Sequence, residues 1–180
     1  STMEDPIEYE IPLVNQFQVN RDLGLDFASG LRSMLRQDPD IIMVGEIRDK
    51  ETASISMNAA LTGHFVLSTL HTTEASGVLS RLLDMGIEPY VVSSAVTTVI
   101  AQRLVRTNCM NCLVTYNPPK SIYKKLEKMV GKDIVAKLPK QLYHGKGCKT
   151  CRGIGYSGRT GIFEVLEVSD QIRQIIDKGA

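Results

Sequence analysis

LRQDPDIIMVGEIRD, Leu35 to Asp49, organises the rest of the chain. Within it Ile41-Ile42-Met43-Val44-Gly45 runs without a polar residue into Glu46. A short continuous apolar run fits a strand buried on both faces, as in a parallel sheet. Asp38-Pro39-Asp40 marks a turn before it. A carboxylate at the carboxyl end of such a strand sits where open α/β sheets bind ligands. Taken alone, the pattern is equally a buried strand that ends in a solvated glutamate.

Outward from this strand, the periodicity predicts alternating elements. Thr2 to Glu10 reads as a strand end followed by an acidic loop, because Pro6 cannot donate to a sheet ladder. Glu4, Asp5 and Glu8 crowd that loop, either as a solvated edge or as a second acidic cluster facing the first. Leu13 to Val19 alternates like a half-buried strand. Asp26 can cap a helix that runs to Arg36. On it Arg32 and Arg36 share a face, either exposed or reaching for phosphates or a neighbouring subunit. Lys50 to Leu61 reads as a helix closed by Thr62-Gly63, and His64 to Leu70 as another buried strand. Thr72 or Thr73 can cap a helix that stops at Gly86. Pro89 opens what the pattern predicts to be one long helix from Tyr90 towards Arg106. Strand, helix, strand, helix is a βαβ arrangement.

His64 and His71 cannot share a metal on one strand: seven residues span about 23 Å, and an odd offset turns them to opposite faces. His64 reads as a cap at the strand's start. His71 falls at the same sheet edge as Glu46, where a polar side chain could contact a γ-phosphate.

Composition narrows the class. Hydrophobic residues at 43% suffice for a core, and Lys+Arg 21 against Asp+Glu 20 leaves +1, so net charge gives no sign of capture by nucleic acid or membrane. No window approaches the ~18 apolar residues of a membrane span. The acidic opening, STMEDPIEYE, is no signal peptide, which implies a cytosolic setting. There, four cysteines read as metal ligands before disulfides. Cys109-x-x-Cys112 and Cys148-x-x-Cys151 supply four thiolates, enough for a closed tetrahedral structural Zn²⁺ site; a redox dithiol is the lesser reading. The spacer holds its own helix, with Ile122, Leu126, Met129 and Val130 along one side and Lys120, Lys124, Lys125 and Lys128 along the other. That lysine face is either solvated or a surface for an anionic partner. Ile162 to Val168 alternates like a strand, and Ser169 caps a last helix with Ile172, Ile175 and Ile176 inward.

EDPIEY (Glu4–Tyr9), the Leu35–Asp49 stretch, TGHFVLSTLHTTEA (Thr62–Ala75), AQRLVR (Ala101–Arg106), the paired C-x-x-C and GYSGRTGIFEVL (Gly155–Leu166) together closely resemble the secretion ATPase superfamily. The likeness is narrower to the carboxyl-terminal part of type II secretion and type IV pilus assembly ATPases, and it covers essentially all 180 residues. It implies an α/β fold: a partial RecA-like P-loop NTPase core over 1–106, a tetracysteine zinc subdomain over 107–160, and a strand and helix over 161–180 that pack back on the core. Glu4, Asp5 and Glu8 match the family's Asp box. Gly45 and Glu46 match an atypical Walker B in which glycine replaces the usual aspartate. His64 and His71 match the His box, although Thr73 departs from the usual asparagine. Cys109, Cys112, Cys148 and Cys151 match the zinc motif of assembly and secretion members, which retraction motors typically lack.

The resemblance further implies ATP with Mg²⁺, structural Zn²⁺ and a homo-hexamer at the cytoplasmic face of the bacterial inner membrane. Its partners would be a membrane platform protein and a cytoplasmic adaptor, with no nucleic acid. Glu46 would polarise Mg²⁺ or water, Glu4, Asp5 or Glu8 would support it, and His71 would couple the γ-phosphate to motion. Gly45, His64, Arg32 and Arg36 would lie on the nucleotide side. No G-x-x-x-x-G-K-[ST] loop occurs in the sequence. The family carries it just upstream of EDPIEY, so the chain is expected to begin after it and to be inactive alone. The competing reading is a non-enzymatic zinc module that binds another protein, because C-x-x-C-x-G-x-G at Cys148–Gly155 resembles one chaperone zinc knuckle.

Overall fold

In the computed structural model, which describes residues 1–179, four strands form one parallel sheet. They are β1 (Thr2–Glu4), β2 (Gln16–Gln18), β3 (Ile41–Val44) and β4 (Phe65–Ser68), in the order β2-β1-β3-β4. β3 pairs with both β1 and β4, with Ile41 opposite Phe65 and Val44 opposite Ser68. Helices α1 (Phe27–Leu35), α2 (Lys50–Leu61), α3 (Ser76–Asp84), α4 (Pro89–Ala95) and α7 (Asp170–Asp177) complete this part. They belong to one compact unit, Ser1–Ala101 together with the segment from Phe163.

Local chemistry sets the helix starts. Ser29 N–H donates to Asp26 Oδ1 at 2.8 Å while Asp26 N–H donates to Ser29 Oγ at 3.0 Å, a reciprocal capping box at α1. Asp49 caps α2 through Thr52 N–H at 2.8 Å. Met3, Leu31, Ile42, Val44, Leu82 and Val92 are sealed in a single core. Each such side chain contributes about 1.5–3 kcal/mol by leaving water.

The second unit is Gln102–Ile162. It contains α5 (Lys120–Val130), α6 (Lys132–Ala136) and the antiparallel pair β6 (Leu113–Tyr116) and β7 (Leu142–Gly145). The chain enters it within β5 (Thr98–Asn108) and leaves within β8 (Tyr156–Glu167), which pair with each other.

Several expectations need correction. The long helix from Tyr90 to Arg106 stops at Ala95; Val96 is already extended and Thr98 opens β5. β-branched Thr97, Thr98, Val99 and Ile100 prefer the pleated conformation, and they outweigh the helical period. The strand expected over Leu13–Val19 shrinks to three residues, since Leu13 takes a φ of +67°. β3 is sealed on one face only: Ile42 and Val44 are buried, whereas Ile41 is 54% exposed. β4 lies at the sheet's edge, with Phe65 and Leu67 exposed. Neither Thr72 nor Thr73 caps α3. Its start is held from 89 residues away, by Glu164 accepting from Ala75 N–H at 2.9 Å. On α7, Ile176 is buried and Ile172 packs on the core, but Ile175 faces solvent.

Candidate functional site

Parallel pairing puts the carboxyl ends of β1, β3 and β4 side by side, and the residues that follow each strand open onto one cleft of about 480 Å³. Glu4, Asp5 and Glu8 line it from the β1 side, Gly45, Glu46 and Arg48 from the β3 side, and Ser68, Thr69 and His71 from the β4 side. Five acidic or histidine residues assigned from the sequence therefore converge on one edge.

Glu46 is the centre. The residue is 9% exposed, and one carboxylate oxygen, Oε2, accepts from Arg48 Nε at 2.5 Å and stands 3.1 Å from His71 Nε2. The Arg48 guanidinium holds the Glu46 carboxyl below the usual carboxylate range; burial opposes this, and the His71 bond adds to it. Glu46 is thus an ionised acceptor kept in place at the rim by the Arg48 guanidinium and by the His71 ring nitrogen.

Its backbone neighbours fix the strand end. Gly45 N–H donates to Met3 O at 2.8 Å, and Thr69 Oγ1 donates to Gly45 O at 2.6 Å. A Cβ on Gly45 would meet Met3 O at 3.1 Å and Glu4 Cα at 3.4 Å, so a side chain there would crowd the β1 backbone, which the glycine lets approach closely. Glu4 Oε1 accepts from Thr2 Oγ1 at 2.6 Å and from Gln16 Nε2 at 2.9 Å. Asp5, which precedes a cis proline, pairs with Arg21 at 3.3 Å.

The structure does not bring every assigned residue to the cleft. His64 Nδ1 lies 3.0 Å from Ala59 O and 3.3 Å from Thr62 Oγ1, at the amino end of β4. Arg32 pairs with Glu51, and Arg36 donates to Ser33 Oγ at 3.2 Å. Conversely, Arg48, Ser68 and Thr69 were not singled out by sequence reasoning. The signal for Arg48 was present: a cation two residues beyond an acid at a strand end.

The cleft's carboxylates suit a hard divalent cation such as Mg²⁺. They do not close around one ion: among the described residues only Cys109, Cys112, Cys148 and Cys151 gather that tightly, with ligand atoms within 4.8 Å of one another. Cys109 and Cys148 sulfurs are 3.9 Å apart, Cys112 and Cys151 3.9 Å, and Cys148 and Cys151 3.8 Å. Four thiolates about 2.3 Å from a tetrahedral zinc stand about 3.8 Å from one another, so the tetrad fits Zn²⁺. These separations are far beyond a disulfide bond. Cys148 N–H donates to Cys151 Sγ at 3.1 Å, and Gly155 N–H at 3.3 Å. The Cys148 N–H does most to hold the Cys151 thiol down to about 6, whereas burial pushes Cys112 up to about 12. The knuckle depends on bare backbone, since a Cβ on Gly145 would stand 2.0 Å from Gly155 O.

Known proteins place this arrangement. The chain is 51% identical over 178 residues to the type IV pilus assembly ATPase PilB of Thermus thermophilus, covering 99% of this chain and 20% of that protein. It is 50% identical over 179 residues to the type II secretion system ATPase E of Vibrio cholerae, covering 99% of this chain and 34% of that protein. Among solved structures, that of the pilus retraction motor PilT with bound ADP superimposes with a TM-score of 0.65 at 30% identity, over 99% of this chain and 41% of PilT. The ATPase DotB of Legionella pneumophila gives 0.62 at 26%, over 99% and 39%. The chain thus spans about a third or less of these two curated relatives. The family described as type II/IV secretion system protein matches residues 1–180 throughout. With that match over the whole chain, and with relatives about half identical to it, this chain belongs to the type II/IV secretion system protein family.

Proposed function

We propose that these residues supply the metal- and water-facing half of an ATPase site in a motor for type IV pilus assembly or type II secretion. One observation carries the reading: Glu4, Asp5, Glu8, Glu46 and His71 line a single cleft at the carboxyl ends of parallel strands. Phosphoryl transfer needs positioned charge and an oriented water more than covalent chemistry. Glu46 is the acceptor aimed at that water or at a Mg²⁺-bound one. Glu4, Asp5 or Glu8 would support the water or the metal, and His71 would couple the γ-phosphate to the loop that follows β4. Mg²⁺, when bound with the nucleotide, would neutralise charge on the phosphates.

The motor is a homo-hexamer on the cytoplasmic face of the inner membrane, working on a platform protein with an adaptor. The cysteine tetrad holds a structural Zn²⁺ and favours an assembly or secretion motor over a retraction motor. Because the 180 residues contain no G-x-x-x-x-G-K-[ST] loop to cradle phosphates, they do not turn over ATP by themselves. Phosphate-release assays test this: the full-length motor should hydrolyse ATP, and the 180-residue chain should not. Robust turnover by the short chain, or none by the whole motor under any condition, overturns the reading.

A further inference from the structure

The net charge of +1 is the sum of two opposed halves. Residues 102–162 hold 13 Lys and Arg against only Glu127 and Asp133, a formal +11, so the rest of the chain carries −10. A tetrathiolate zinc centre would subtract only about two charges from the basic unit. The whole-chain balance therefore says nothing about what this unit attracts.

Seven of the lysines fall between Lys120 and Lys140, all exposed. On α5 the 100° step per residue gathers Lys120, Lys124, Lys125 and Lys128 on one side and Ile122, Leu126, Met129 and Val130 on the other. A helix with an apolar stripe ordinarily buries it against a core. This one buries no residue: Ile122 is 39% exposed, Met129 78% and Val130 44%, and Ile134 on α6 is 55% exposed. Lysines flanking an uncovered apolar stripe are the signature of a helix that lies in a membrane interface.

We propose that α5 and α6 dock on an anionic lipid surface. Lysine ammonium groups meet headgroup phosphates, while Met129, Val130 and Ile134 enter the boundary between headgroups and acyl chains. A nucleic acid would answer the lysines but leave that apolar stripe in water. The proposal does not rest on the ATPase reading, because docking needs no nucleotide.

Co-sedimentation of the zinc-loaded protein with vesicles tests it. One set is phosphatidylcholine alone, and the other contains phosphatidylcholine with 30% phosphatidylglycerol (about a third anionic). Binding is expected to the anionic vesicles only and to weaken as salt rises. Each lysine near such a surface is worth about fivefold in partitioning, so Lys124→Glu with Lys125→Glu should weaken binding by more than about 25-fold. Met129→Ser with Val130→Ser should weaken it at unchanged charge, and Arg81→Glu in the other unit should not. Zinc content and circular dichroism confirm that the variants fold. No preference for anionic vesicles overturns the proposal. So does binding indifferent to the Met129 and Val130 changes, or an oligonucleotide that displaces the vesicles at equal phosphate.

Discussion

Arg48 Nε and His71 Nε2 meet on the same oxygen of Glu46, at 2.5 Å and 3.1 Å. The strand end after β3 and the loop after β4 are thereby tied through one carboxylate. A ligand of Glu46 Oε2 must compete with, or rearrange, those two donors, so occupancy of that oxygen bears on the position of the loop after β4.

The Arg48 contact has a pH signature. Glu46 titrates below its ordinary 4.5 chiefly because of Arg48. A depressed carboxylate pKa contributes stability that is present above the unfolded value and lost as pH falls through the folded value. Arg48→Met should raise the Glu46 pKa, measured by NMR titration of the side-chain carboxyl. The variant should unfold more readily in urea at pH 7, and the difference from wild type should vanish below the folded pKa. An unchanged Glu46 titration contradicts this account.

The cysteine tetrad predicts one zinc per chain by elemental analysis. Co²⁺ exchanged into the site should show the visible absorption of tetrahedral thiolate coordination. Structural zinc binding is worth on the order of 10 kcal/mol, so chelation or Cys151→Ser should abolish the cooperative melting of residues 102–162. A metal-free protein that melts unchanged contradicts a structural role.

Core and surface positions on the helices should separate cleanly. Leu82 is fully buried, so Leu82→Ala should cost about 3 kcal/mol in urea unfolding. Ile175, placed inward by the sequence pattern, is 53% exposed, and Ile175→Ala should stay within about 0.5 kcal/mol. Equal effects would contradict the packing of α7.

What could be read before the structure was largely local. The apolar run ending at Glu46, the two C-x-x-C pairs and the Asp26 cap each depend on neighbours a few residues apart, and each is found where the pattern puts it. The end of α4 was missed because Thr97 to Ile100 fits a helical face and a pleated strand alike. The exposed edge at β4 and the distant Glu164 cap on α3 depend on pairings that no local pattern encodes. Arg48 was overlooked although it lies only two residues from Glu46; what no local pattern shows is that His71 reaches the same oxygen from 25 residues away. The charge asymmetry was readable from composition, but only once the boundaries of residues 102–162 were known.

The most direct test concerns Glu46 in the full-length motor. Glu46→Gln preserves shape and removes the ionised acceptor. Steady-state ATP turnover should fall by about 100-fold or more, while nucleotide affinity, measured by fluorescent-analogue binding, stays within about threefold. Turnover within about threefold of wild type would contradict the assignment of Glu46 as the centre of the site.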